Sequence, residues 1–283
     1  MEPTTDQNME QTDPAFDLGA LLQRIEELAW QAGKEAMCYY DMPHEGVETK
    51  ADNSPLTLAD TAVHRFLVSE LRVLTPELPV LSEESEEKEY EGRRDWNTFW
   101  LIDPLDGTKE FIKRSDEFTV NIALVRGEEP ILGVVHAPAL EAAWSGAEGV
   151  GSFMTRQGAR VPIQVRAARA EALTVVASRD HAGPQVEQMM SANPSMALTS
   201  MGSSLKFCLV AEGRADLYPR LSPTMEWDTA AAQAVVEAAG GRVVTPQGER
   251  LRYNKADLRN EAFIVVGDTD LNWEKRFGIS TTP

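Results

Sequence analysis

Phe99-Trp100-Leu101-Ile102-Asp103-Pro104-Leu105-Asp106-Gly107-Thr108 joins an apolar run to two carboxylates and a Gly-Thr turn. Four consecutive apolar residues read as a buried strand, so Asp103 is expected where that strand leaves the core. Pro104, with its fixed φ and missing N–H, is expected to turn the chain there. That turn would bring the carboxylates of Asp103 and Asp106 and the Leu105 carbonyl toward one point. Oxygen donors from one short turn suit Mg²⁺. Gly107 permits close backbone approach to a ligand. The N–H groups of Gly107 and Thr108 open the helical-looking stretch 109–113, and free amides at a helix start bind phosphate. Acidic residues also cap helices, and capping alone would explain a single Asp. Two carboxylates, a proline and a glycine with distinct backbone roles exceed what a cap requires.

Toward the N-terminus, Leu18, Leu21, Leu22, Ile25, Leu28, Ala29, Ala32 and Ala36 recur at helical spacing and predict an amphipathic helix ending near Tyr40. Thr57-Leu58-Ala59-Asp60 has capping-box form, with Val63, Phe66, Leu67, Leu71 and Leu74 as the buried stripe of a second helix. Strand-like runs at 119–125, 131–137 and 141–144, separated by Gly and Pro turns, predict an antiparallel sheet packed on these helices. After about Gly151 the texture changes. Strands are expected at 173–177, 215–218 and 264–266, and helices at 185–190, 204–212 and 228–239, the last stopped by Gly240-Gly241. The expected organisation is a disordered tail at 1–16, an α+β half at 17–150 and an α/β half at 151–283.

A chain of 283 residues can bury a sizeable core. Its formal net charge of -18 argues against nonspecific nucleic-acid binding and against attraction to an anionic membrane. So acidic a protein gains from bound cations if its substrate is an anion. Cys38 and Cys208 lie far apart without metal-type spacing, which fits reduced thiols in a cytosolic protein. No segment is apolar enough to span a bilayer, and the first sixteen residues have neither a basic nor an apolar leader region.

Three further acidic residues are candidates for the same site. Leu81-Ser82-Glu83-Glu84-Ser85 follows a short apolar run and precedes the Asp103 strand, so Glu83 can return to the same end of the sheet. An acidic residue in the acidic stretch 83–91, itself most simply a solvated loop, explains Glu83 equally well. Asp228, in Glu226-Trp227-Asp228-Thr229-Ala230-Ala231, reads as a cap of an Ala-rich helix, and Asp60 is accounted for by its capping box.

Taken in order and spacing from about Lys50 to Gly241, these segments resemble the inositol monophosphatase superfamily of metal-dependent, lithium-sensitive phosphatases. In that superfamily a Glu-Glu pair, an Asp-Pro-(Leu/Ile)-Asp-Gly-Thr turn and a Trp-Asp helix start build one site. Three stretches are similar to the CysQ-type 3'(2'),5'-bisphosphate nucleotidases in particular. They are residues 103–114, residues 117–124 and residues 202–213, which include Ser203 and Lys206, with Leu217-Tyr218-Pro219-Arg220 after the last. Where inositol phosphatases typically have Thr-Asn-Phe, this chain has Lys109-Glu110-Phe111.

The resemblance implies a layered α-β-α-β-α sandwich, the sugar phosphatase fold. It implies that Glu83, Asp103 and the Leu105 carbonyl hold one Mg²⁺ and that Asp103, Asp106 and Asp228 hold a second. Two such ions, about 3.5–4 Å apart, clamp the attacking and leaving oxygens of an in-line displacement. Thr108, hydrogen-bonded toward Glu83, would orient or deprotonate the attacking water, and Asp60 would support it or a weaker third ion. Glu83, Leu105, Asp106, Gly107, Thr108 and Asp228 would surround the reacting phosphate. Lys206 and Arg220, with Ser203 beside them, match family positions that hold a second phosphate, and His181 one that faces the nucleotide. A lysine on a helix face is otherwise a solvated charge, and His181 an exposed loop histidine.

The resemblance thus leads to the expectation of a cytoplasmic monomer acting on a small-molecule bisphosphate nucleotide, with association at the inner membrane face left open. The expected reaction is adenosine 3',5'-bisphosphate to AMP and phosphate, extended to its 5'-phosphosulfate relative. An inositol or other sugar phosphatase would need the same metals but not the Lys206/Arg220 pair. A regulator that binds nucleotide or protein without turnover would be expected to lack a metal ligand, and Glu83, Asp103, Asp106 and Asp228 are all in place.

Overall fold

The computed structural model describes residues 16–42, 48–49, 55–86, 90–169, 172–177 and 184–270. The expected tail lies outside the described residues except for Phe16. Helix α1 (Leu18–Tyr40) is capped by Asp17, whose carboxylate accepts from the N–H groups of Gly19 and Ala20 at 3.0 Å. A short ladder pairs β1 (Glu48–Thr49) with β2 (Pro55–Leu56). Helix α2 (Leu58–Leu74) starts with the expected reciprocal box between Thr57 and Asp60. Val63, Leu67 and Leu71 are buried as predicted, while Phe66 and Leu74 stay partly exposed at the edge of the stripe.

Strands β3 (Val80–Ser82), β4 (Thr98–Asp106), β5 (Thr119–Arg126), β6 (Glu129–Ala137), β7 (Ala142–Ala147), β8 (Gly151–Arg156) and β9 (Ala159–Ile163) form one sheet in chain order. β3 and β4 are parallel, and every other pair is antiparallel. The division expected after residue 150 falls inside this sheet, because β8 continues the ladder from β7 and carries it into β9. Nearly all of β9 is exposed, so it lacks the apolar run that marks the inner strands. A helical turn α3 (Tyr90–Arg93) ends the acidic stretch, and α4 (Thr108–Lys113) follows β4.

The second sheet has the order β11-β10-β12-β16-β14. Its strands are β10 (Thr174–Ala177), β11 (Ala197–Ser200), β12 (Leu217–Arg220), β14 (Arg242–Val244) and β16 (Phe263–Val266). Helices α5 (Pro184–Ala192), α6 (Leu205–Ala211) and α7 (Ala230–Ala238) are interleaved with them, and a short ladder joins β13 (Thr224–Met225) to β15 (Arg259–Asn260).

Side-chain alternation on β4 sets the layers. Trp100 and Ile102 pack with the buried stripes of α1 and α2, whereas Phe99 and Leu101 pack with α6 and α7 on the opposite face. A strand covered on both sides needs continuous apolar residues, which is why this run shows no polar alternation. The other side of α6 and α7 meets Val176, Tyr218, Phe263 and Val265 of the second sheet, and α5 covers that sheet's far face through Val186. The result is the expected α-β-α-β-α stack. Close docking of α7 requires Gly133, because a Cβ there would come within 2.1 Å of the Ala231 carbonyl oxygen. No helix among the described residues is long and apolar enough to cross a membrane.

Candidate active site

β4 does not end at Asp103 as expected but continues to Asp106. Its register explains how the carboxylates meet. Asp103 pairs with Asn121 and Asp106 with Thr119, so three residue steps on β4 oppose two on β5. One extra residue is a bulge, and it falls between Asp103 and Asp106, where Pro104 has no N–H to give to the ladder. Without the bulge, Asp106 would point to the face opposite Asp103, since successive side chains alternate. With it, both lie on the face covered by α6 and α7, while Leu105 packs into the core against α1 and α2.

Asp228 arrives from the far end of the chain on a one-turn helix, Glu226–Asp228, that precedes α7. The expected long helix 228–239 is thus split, and Asp228 accepts from the Met225 N–H at 2.7 Å. Beneath it Glu226 is fully buried. Its carboxylate accepts from the N–H groups of Asn254 and Lys255 and from Lys255 Nζ at 2.6 Å. Arg93, also buried, donates to the Asn254 side chain and to the carbonyls of Lys255 and Ala256. This network fixes the turn that delivers Asp228.

Asp103, Asp106 and Asp228 each bring a carboxylate oxygen within 4.8 Å of the others. Burial, then the charges of Glu83, Asp106 and Asp228, pushes the Asp103 carboxyl well above the ordinary carboxylate range. Burial and Asp106 raise Asp228 in the same way. Glu83 follows β3, its N–H donating to the Ile102 carbonyl at 3.2 Å, and its charge is felt by both aspartates. An all-oxygen donor set whose members repel one another fits a hard divalent cation. Cys208 is buried on α6 and Cys38 exposed on α1, so no thiol joins the set.

Thr108 departs from expectation. Its hydroxyl lies 3.3 Å from Asp60 Oδ1 and 3.2 Å from the Leu105 carbonyl, so its partner is Asp60 rather than Glu83. The two Asp60 oxygens divide the work. Oδ2 accepts from the Thr57 N–H and hydroxyl at 2.8 and 2.5 Å, leaving Oδ1 for Thr108. One side chain therefore caps α2 and also reaches Thr108 on α4. Gly107, with φ +91°, opens α4.

A cavity of about 410 Å³ opens beside the cluster, lined by the carboxylates of Asp106 and Asp228 with Gly107, by the cations of Lys206 and Arg220, and by Ser203, which touches both Asp106 and Lys206. Lys206 is only 6% exposed, which rules out the solvated surface lysine. Its ammonium donates to the Ser203 carbonyl at 2.6 Å and sits 5.5 Å from the Tyr218 ring centre. Burial is the main cause that lowers its pKa to about 8; Arg220 adds to this while Asp106 opposes it. Arg220 donates to the carbonyl of Ser222 at 3.1 Å. His181 lies outside the described residues.

Apart from Ser203, which was expected beside the second phosphate, sequence reasoning missed the residues that hold Asp106. Its Oδ2 is approached by the Ser203 hydroxyl at 2.7 Å, the Ser204 N–H at 2.7 Å and the Ser204 hydroxyl at 2.9 Å, with Thr119 and Asn121 at 3.4 Å. Asn121 Nδ2 also donates to Ser204 Oγ at 3.0 Å. A signal existed: Thr119 and Asn121 are polar at a two-residue interval in an otherwise apolar strand.

The inositol monophosphatase family model matches residues 17–274. The chain is 51% identical over 249 residues to the 3'(2'),5'-bisphosphate nucleotidase CysQ of Escherichia coli K12, covering 87% of this chain and 98% of that protein. Its identity to the protein of the same name from Salmonella typhimurium is 48%, covering 87% and 99%. Among solved structures, CysQ from Bacteroides thetaiotaomicron superposes with a TM-score of 0.78 at 41% identity, covering 89% of this chain and 98% of that one. An IMPase from Thermotoga maritima superposes with a TM-score of 0.74 at 26% identity, covering 92% and 96%.

Proposed function

The chain belongs to the inositol monophosphatase family, and from that membership we propose that it is a Mg²⁺-dependent 3'(2'),5'-bisphosphate nucleotidase. It hydrolyses adenosine 3',5'-bisphosphate to AMP and phosphate, and acts on the 5'-phosphosulfate relative. One observation carries the reading: a single cavity is lined both by Asp106 and Asp228 of the three-carboxylate cluster and by the buried Lys206 with Arg220. An inositol monophosphate has no second phosphate for such a cation pair.

Glu83, Asp103, Asp106, Asp228 and the Leu105 carbonyl are the ligands for two Mg²⁺ ions. Bound there, the ions would neutralise phosphate charge and acidify the attacking water. The protein's own groups do the positioning. Thr108 orients the water with a hydroxyl held by Asp60, and that carboxylate takes the water's proton through Thr108 as the new P–O bond forms. The ester P–O bond breaks in line, and the ribose oxygen leaves with a proton from solvent. The N–H groups of Gly107 and Thr108 bind oxygens of the reacting phosphate. Lys206, Arg220 and Ser203 hold the other phosphate, with hydrogen bonds from charged donors roughly twice as strong as neutral ones.

Phosphate release with Mg²⁺ tests the reading across adenosine 3',5'-bisphosphate, its phosphosulfate, inositol 1-phosphate and fructose 1,6-bisphosphate. The bisphosphate nucleotide is expected to give the highest kcat/KM. Preference for inositol 1-phosphate would replace the proposal with the inositol phosphatase reading.

A further inference from the structure

The segment 201–204 touches both a carboxylate and an ammonium of the cavity. Ser203 and Ser204 hold the Asp106 carboxylate, and the carbonyls of Met201 and Ser203 receive the Lys206 ammonium. Ser203 has φ +50°, a left-handed conformation that side chains disfavour and that persists only when neighbours impose it. One imposing contact comes from Glu117, whose Oε2 accepts from the Gly202 N–H at 2.7 Å. The packing is tight, since a Cβ at Gly202 would lie 2.9 Å from Glu117 Cβ and from its carbonyl oxygen. Glu117 is itself anchored. The preceding Asp116, at φ +62°, accepts from the Tyr40 hydroxyl at 2.7 Å, and its N–H donates back to that oxygen at 3.1 Å.

We propose that Glu117 is a positioning residue that locks the 201–204 turn, and through it holds the metal ligand Asp106 and the phosphate-binding Lys206 in register. This rests on the functional reading above and deepens it: Glu117 touches no reacting atom, yet kcat and KM both depend on it. Its hydrogen bond, rather than its charge, is the operative feature. The carboxylate also lies near Lys206 electrostatically, so the two contributions must be separated.

Two substitutions separate them, because Glu117→Gln keeps an acceptor oxygen and loses the charge, whereas Glu117→Ala loses both. With Mg²⁺ and adenosine 3',5'-bisphosphate, Glu117→Ala is expected to lower kcat and raise KM, for a combined fall in kcat/KM of about 10- to 100-fold, the range for one hydrogen bond to a charged group. Glu117→Gln should stay within about threefold of wild type. Inositol 1-phosphate turnover by Glu117→Ala should lose kcat with KM unchanged. Amide hydrogen exchange supplies a readout that does not depend on substrate: protection of Gly202, Ser203 and Ser204 should fall together in Glu117→Ala and survive in Glu117→Gln. Unchanged kcat and KM in Glu117→Ala would overturn the proposal, as would equal losses in both variants or faster exchange confined to Gly202. If wild type fails to hydrolyse the bisphosphate, the functional reading falls, and the exchange pattern still decides whether Glu117 locks the turn.

Discussion

At the acidic end of the site, Asp103, Asp106 and Asp228 crowd like charges, and burial disfavours ionisation of Asp103 and Asp228. At the basic end, Lys206 and Arg220 rest on backbone carbonyls, and among the described residues neither forms an ion pair. Each end is arranged against its own stability in the free protein. On the proposed reading the acidic end takes a divalent cation and the basic end an anion, and a substrate carrying two phosphates satisfies both at once. The contrast also runs through the architecture. The acidic end is built mainly on the central sheet, whose bulge aims Asp103 and Asp106, while the basic end hangs on α6 and β12 of the second half.

Removing a charge from the acidic end tests this contrast most severely. Asp103→Asn or Asp228→Asn is expected to lower kcat by at least about 1,000-fold at saturating Mg²⁺, since each removes a ligand on which electrostatic stabilisation depends. With chelator present, melting temperatures should not fall, because removing one of several repelling buried carboxylates relieves the fold. Mg²⁺ should raise the melting temperature of wild type and fail to do so for the variants. Near-normal kcat in either variant would end the two-metal assignment.

Removing a charge from the basic end should act on KM instead. Lys206→Ala or Arg220→Ala is expected to raise KM for adenosine 3',5'-bisphosphate by about 10- to 100-fold, the worth of a charged hydrogen bond in a desolvated site. Turnover of inositol 1-phosphate should hardly respond. Equal losses on both substrates would make these residues structural.

Acidity gives a third way to tell the two ends apart. Lys206 discharges at about pH 8 in the folded protein, against an ordinary value of 10.5. Above about pH 8, kcat/KM for the bisphosphate should fall by up to about tenfold per pH unit, while that for inositol 1-phosphate shows no matching fall. The stability effect has the opposite sign. Between pH 8 and 10.5 the unfolded chain binds the proton that the folded chain has released, so this group's contribution to folding rises with pH. A profile for the bisphosphate that stays flat to pH 10 would show that Lys206 does not bind its phosphate.

A milder response is expected between the two ends. The Thr119 hydroxyl is 2.5 Å from Ser203 Oγ and 3.4 Å from Asp106 Oδ2, so Thr119→Val removes one support from each. A fall in kcat of about two- to threefold is expected from one neutral hydrogen bond, measured beside wild type at saturating substrate. A loss as large as that of Asp103→Asn would mean that Thr119 belongs to the chemistry itself.

Much of this was legible in the chain because it depends on near neighbours. Helical spacing in α1, the Thr57–Asp60 box and the apolar run before Asp103 all arise from side chains within one or two turns of each other. The resemblance drew Asp103, Asp106 and Asp228 together, and their oxygens converge. From its sequence neighbours Asp60 read only as a cap, and the resemblance alone suggested more, since its second oxygen meets Thr108, a residue on another element.

Local sequence was enough to specify most strands and helices and where acidic and basic residues are concentrated, and it marked Pro104 as an interruption, though as a turn that ends the strand rather than a bulge within it. It was not enough to specify which way the interruption turns. The bulge carries Asp106 to the same face as Asp103, and that depends on the register between β4 and β5 rather than on either strand alone. Tertiary packing also buried Lys206 between two sheets and set Ser204 against Asp106. The difference is one of range: backbone propensity and side-chain period act over a few residues. Desolvation, charge crowding and shared hydrogen bonds arise only when layers distant in sequence close on one another.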